Sequence, residues 1–159
     1  MFDEYPDIPS NHDSTVDGCL DDRRPRKLAD IVAQEHIVSR IVQAIKNKVL
    51  SHRYLFIGPA GSGKTTLAHA LARLLKCPRG QELFDACGTC KICSCTNLSD
   101  QCYGYHEWTG AELNDRWEWW KQEGPDILKR PTWLFFLDEA QDLSETHQNG
   151  LTHKWWARG

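Results

Sequence analysis

Apolar residues recur along this chain with two different periods, and the places where the period changes mark its elements. In residues 34–50, Ile37, Ile41, Ile45 and Val49 fall four apart with Val38 and Val42 beside them. This is the stripe of an amphipathic helix whose lysines and Asn47 face water. Tyr54-Leu55-Phe56-Ile57 is a short apolar run without a charge, which suits a parallel strand buried on both faces. After a turn at Gly58, Leu67, Leu71, Leu74 and Leu75 return to helical spacing among good helix formers. Residues 103–108 are aromatic-rich and read as a strand weakened by Gly104. Thr109 and Glu112 form a capping-box pattern opening a helix that carries Leu113, Trp117 and Trp120 on one face, leaves Trp119 pointing elsewhere and stops at Gly124-Pro125. Trp133-Leu134-Phe135-Phe136-Leu137 is a further buried strand, delivering Asp138 and Glu139 at its carboxyl end, where parallel α/β sheets bind ligands. The pattern predicts an α/β fold, a parallel sheet flanked by helices.

The loop between the first strand and its helix reads Gly58-Pro59-Ala60-Gly61-Ser62-Gly63-Lys64-Thr65, the phosphate-binding pattern G-x-x-x-x-G-K-[ST] without a departure. Its glycines let backbone amides turn inward around an anion, and the helix beginning at Gly63 adds unpaired N–H groups and a positive dipole end. A triphosphate fits there, with Lys64 reaching the β- and γ-phosphates and the Thr65 hydroxyl completing a Mg²⁺ shell. Thr66 follows in the same first turn. Opposite, Asp138 is expected to hold the Mg²⁺ through water and Glu139 to polarise an attacking water as general base. The bland alternatives are a glycine-rich turn and a chance pair of acids, and the complete loop with correct flanks favours one shared P-loop NTPase site.

Seven cysteines without a secretory signal argue against a disulfide framework. Five lie between Cys77 and Cys95, and Cys87-Gly-Thr-Cys90-Lys-Ile-Cys93 places two residues between successive thiols. Cys77, Cys87, Cys90 and Cys93 can close a tetrahedron around a structural Zn²⁺, an inserted four-cysteine zinc module at about 77–95. Cys95 competes with Cys93 as fourth ligand, whereas Cys19 and Cys102 read as free thiols. The expectation is one zinc per chain.

Length and charge add limits. The 159 residues suit about one domain, and a net charge of -3 excludes a nucleic-acid sponge, so any DNA contact is local. No apolar run is long enough to span a membrane, and the chain reads as cytoplasmic. Residues 1–22 hold seven acidic side chains and no Lys or Arg, which predicts a mobile arm ahead of a domain over 23–159. Arg23, Arg24, Arg26 and Lys27 around Pro25 either balance that arm or touch a nucleotide. The tryptophans, Trp155 and Trp156 included, read as core packing, with a partner surface as the alternative.

Taken in order, Arg24-Pro25, the segment 28–37 (LADIVAQEHI), Tyr54-Leu55-Phe56-Ile57-Gly58-Pro59, the phosphate loop, the four cysteines and Asp138-Glu139 resemble the N-terminal ATPase region of the bacterial DNA polymerase III gamma/tau subunits, clamp loaders of the AAA+ superfamily. The resemblance runs from Arg23 to about Ser144. It implies ATP hydrolysis coupled to opening a sliding clamp and closing it on primed DNA, alongside other clamp-loader subunits. Lys64 and Thr65 then bind phosphate and Mg²⁺, Asp138 binds Mg²⁺, Glu139 is the base, and Arg24, Pro25, Ile31 and Val32 match the segment lying against the adenosine.

The chain departs from that pattern at Ala33, where the family usually has glycine, across residues 108–115, and at His147-Gln148-Asn149-Gly150. The family's sensor strand, which lies between the phosphate-loop strand and the Asp-Glu strand, is not found, nor are its arginine finger and lid. The expectation is an incomplete AAA+-like sheet, from a truncated or divergent gene product or a reduced protein whose strands close on each other. Two functions therefore compete: a clamp-loader ATPase, and a non-catalytic nucleotide- and zinc-binding module that docks on replication proteins. A small-molecule phosphotransferase lacks a recognisable acceptor site.

Overall fold

The computed structural model describes residues 24–96, 98, 104–128 and 133–152, with backbone alone for 126–128. The acidic arm, Arg23, Cys19, Cys102, Tyr103, Trp155 and Trp156 lie outside the described residues.

A 3-10 turn at Leu28–Asp30 leads into helix α1, Glu35–Lys46. The helix stops short of the apolar stripe because Lys48 turns left-handed at φ 57°. The amides of Lys48 and Val49 then bond back to the carbonyls of Ile45 at 3.0 Å and Ala44 at 2.9 Å, a Schellman closure that leaves Val49 69% exposed. Ile41 and Ile45 are buried as the period requires.

Helix α2, Lys64–Lys76, is the central element. One side packs Leu67, Ala70, Leu71 and Leu74 against Leu28, Ile31, Ile41 and Ile45. The opposite side meets the sheet, where Ala72 packs with Leu98 and Tyr105 and against Leu134 and Phe136. Two short helices, α3 at Gly80–Leu83 and α4 at Lys91–Ser94, carry the cysteine-rich excursion.

Strands β1, Tyr105–Thr109, and β2, Leu134–Asp138, pair in parallel with Tyr105 opposite Leu134 and Thr109 opposite Asp138. They are joined through α5, Gly110–Asp115, and α6, Trp117–Leu128. The capping box opens α5: the Glu112 amide donates to the Thr109 hydroxyl at 3.2 Å and the Thr109 amide to the Glu112 carboxylate at 2.8 Å. The single helix expected here is two, broken at Arg116, and α6 runs through Gly124-Pro125 instead of stopping. A proline inside a helix removes one amide bond. Trp120, 1% exposed and lying against Gly124, anchors the helix across that loss. Trp119, expected to point elsewhere, joins the same cluster, its ring 5.3 Å from that of Trp108.

The sheet has two strands among the described residues, and the phosphate-loop strand is not one of them. Tyr54-Leu55-Phe56-Ile57 forms no ladder, since a strand needs a hydrogen-bonded neighbour and β2 pairs with β1 alone. Tyr54 and Phe56 cover the core while Leu55 and Ile57 are 68% and 86% exposed. Every residue of β2 is only half-buried for the same reason. A 3-10 turn at Ala140–Asp142 and helix α7, Glu145–Leu151, follow. No described helix is long and apolar enough to cross a membrane.

Candidate functional site

The loop before α2 turns through Gly61 at φ 74° and Gly63 at φ 84°, values a side chain at either position would strain. Gly63 caps the helix with no side-chain bond, leaving the first amides of α2 open to an anion. Lys64 folds back over the loop, its Nζ donating to the carbonyls of Gly58 at 3.0 Å and Pro59 at 2.8 Å. An ammonium held by two neutral carbonyls is readily transferred to phosphate oxygens, which bind it as charge-assisted acceptors. Ala60 is exposed, and Ser62 and Thr66 are half-buried.

Thr65 and Asp138 meet although 73 positions separate them, the Thr65 hydroxyl donating to the Asp138 carboxylate at 2.9 Å. Both are partly buried, so α2 and the end of β2 bring a hydroxyl and an acid together beside the loop. The other Asp138 oxygen accepts from the Glu139 amide at 2.9 Å. Glu139 itself is exposed and left-handed at φ 47°. Hard oxygen donors at this spacing suit a cation that keeps most of its waters, as Mg²⁺ does.

The segment 24–34 runs from the cysteine module to the loop. Arg24 and Pro25 are half-buried, Ile31 is packed into the core at 8% exposure, and Val32 is 82% exposed. Gln34, which sequence reasoning passed over, donates from its side chain to the Ser62 carbonyl at 3.1 Å. No periodicity marks such a contact, because it depends on where a turn aims one amide group.

The thiols of Cys77, Cys87, Cys90 and Cys93 converge with all four sulfurs within 4.8 Å of one another. Tetrahedral zinc–thiolate bonds space sulfurs about 3.8 Å apart. The four residues fit such an ion with little movement. Cys95 is occupied elsewhere: its sulfur lies 3.0 Å from the Ile92 carbonyl and 3.5 Å from Arg73. The amides of Thr89 and Cys90 hold the Cys87 thiol down to about 5, with the Thr89 hydroxyl and Arg79 adding to this, whereas burial pushes Cys93 up to about 12. Arg73, 5% exposed on α2, clasps the module by donating to the carbonyls of Ile92 at 3.0 Å, Cys95 at 2.8 Å and Thr96 at 3.1 Å.

Comparison with known proteins gives relatives for this arrangement. Residues 33–106 match the family described as DNA polymerase III, delta subunit. The chain is 41% identical over 70 residues to the DNA polymerase III subunit tau/gamma of Haemophilus influenzae, covering 44% of this chain and 10% of the relative. It is 33% identical over 131 residues to the gamma/tau subunit of Mycoplasma pneumoniae, covering 80% of this chain and 19% of the relative. A replication factor C small subunit of Aeropyrum pernix is 57% identical over 49 residues, 31% of this chain and 15% of the relative. No solved structure matches. The chain spans about a tenth to a fifth of the length of the gamma/tau subunits it matches. Over part of its length the chain is similar to the bacterial DNA polymerase III gamma/tau subunits.

Proposed function

We propose that this chain binds ATP with Mg²⁺ at the phosphate loop and serves in DNA replication as an ATP-binding part of a clamp loader, working with other clamp-loader subunits, the sliding clamp and primed DNA. The observation that carries this reading is the 2.9 Å contact between Thr65 and Asp138, which joins loop and acidic strand end in one site. Lys64 exchanges its two carbonyl partners for phosphate oxygens and neutralises their charge. The Thr65 hydroxyl and Asp138 would hold the Mg²⁺, which would supply charge neutralisation for the phosphates. Glu139, at the exposed end of β2, orients the attacking water as base. Cys77, Cys87, Cys90 and Cys93 hold a structural Zn²⁺ that closes the excursion after α2.

The test is titration with a fluorescent ATP analogue and Mg²⁺. Wild type binds, and Lys64→Ala weakens binding at least about tenfold, the loss of one charge-assisted contact or more, with folding unchanged by circular dichroism. Equal affinity in the two proteins ends the reading. Turnover stimulated by clamp and primed DNA then supports the motor role. A second reading, a module that holds nucleotide and zinc without hydrolysis, is favoured by the sheet of the described residues, which has two strands and does not include the phosphate-loop segment. It predicts nucleotide affinity with negligible turnover under the same stimulation.

A further inference from the structure

The 3-10 turn at Leu28–Asp30 begins without a cap of its own, since Lys27 makes no side-chain bond to it. Its first amides are served instead from 56 positions and more downstream. Asp85, two residues before Cys87, accepts from the Leu28 amide at 2.9 Å through one oxygen and from the Ala29 amide at 3.1 Å through the other. The first oxygen also takes the Ala86 amide at 2.7 Å, so the carboxylate is locked to its own loop as well. Two further contacts run alongside. Arg26 donates to the Ser94 carbonyl at 2.8 Å, and Lys27 covers Gly88, where any Cβ would lie 2.7 Å from the lysine chain. The same stretch of chain, nine residues long from Arg26, ends at Gln34 on the Ser62 carbonyl of the phosphate loop. A strap thus joins the cysteine module to the loop, with its buried Leu28 and Ile31 packed on α2 between the two ends.

We propose that Asp85 is a positioning residue that makes nucleotide affinity depend on the metal centre: filling the four-thiol site fixes the loop 85–93, Asp85 fixes the turn at 28–30, and the strap holds Gln34 and the loop in their binding form. This rests on the nucleotide site proposed above. A carboxylate can clasp two amides only while its own backbone is held, and three of the four converging thiols, Cys87, Cys90 and Cys93, begin two residues later on the same stretch of chain. Linkage makes the effect reciprocal, so bound nucleotide also retains metal.

The experiment compares wild type with Asp85→Ala and Asp85→Asn, each with zinc and after chelation. Affinity for the fluorescent ATP analogue is measured together with amide hydrogen exchange at Leu28 and Ala29. In wild type, chelation is expected to weaken nucleotide binding by about fivefold to tenfold, the range of ordinary site-to-site coupling, and to speed exchange at both amides. In Asp85→Ala, zinc still binds at one equivalent, but chelation leaves nucleotide affinity unchanged. Asp85→Asn, which keeps one acceptor oxygen, falls between. Nucleotide affinity that ignores chelation in wild type, or still responds to it in Asp85→Ala, overturns the proposal. So does equal amide protection with and without zinc, a readout that stands even if no nucleotide binds. Failure of wild type to bind nucleotide with zinc present would instead count against the site itself.

Discussion

Ala33 sits at φ 65°, a conformation that costs a residue with a Cβ about 1–2 kcal/mol and costs glycine nothing. The turn from Ile31 into α1 passes through this residue, and the alanine keeps it under a strain that a glycine would relieve. Ala33→Gly is expected to raise unfolding stability by about 1 kcal/mol, a lesser gain because glycine also loosens the unfolded chain; urea melts check it. His106 offers a pH-dependent counterpart. Burial first, then the Lys76 charge, lowers its pKa below the usual histidine value, and its Nε2 is buried against Trp133 without a partner. Between the lowered folded value and about 6.5, the unfolded chain binds the proton that the folded chain refuses. Stability is then complete above that window and falls as pH drops through it. Melting temperature should decline from about pH 7.5 to about 5.5 in wild type, a range spanning the ordinary histidine value, and decline less in His106→Phe.

At the level of elements, α2 shows what periodicity conveys and what it omits. Its apolar stripe and the glycines before it were legible, because both follow from spacing and from residues that only one backbone geometry accommodates. Arg73 was not, since a buried guanidinium is acceptable only when carbonyls wait for it, and those come from Ile92 of α4 and from Cys95 and Thr96 just beyond it. Likewise the sequence foretold the capping box of α5 but not the break at Arg116 or the passage of α6 through Pro125, where tryptophan packing outweighs local propensity. The cysteine spacing marks four thiols able to share an ion and cannot say that Asp85 clasps a distant turn. The module should depend on its ion as small metal domains do. Cys90→Ser is expected to lose the single equivalent of zinc by metal analysis and to lower the melting temperature. Metal-free protein melting like the holo form would count against the centre.

Across the whole molecule, two packed regions meet on α2, and Tyr54-Leu55-Phe56-Ile57 runs along one of them outside the sheet. Leu55 and Ile57 face outward there and β2 has one bare edge among the described residues, a surface on which chains can associate. Sedimentation should show concentration-dependent association that Ile57→Lys reduces. Cys77 gives the opposite kind of constraint. It terminates α2, its amide bonding to the Arg73 carbonyl at 2.9 Å, while its sulfur is one of the four. The helix is consequently a ruler of thirteen residues with the loop lysine at one end and a thiol at the other, and both its length and its phase are fixed. One alanine inserted after Leu75 would swing that sulfur round by about 100° and move it about 1.5 Å along the axis, costing the zinc, whereas the same insertion between Asn47 and Lys48, ahead of the ruler, should leave the metal in place.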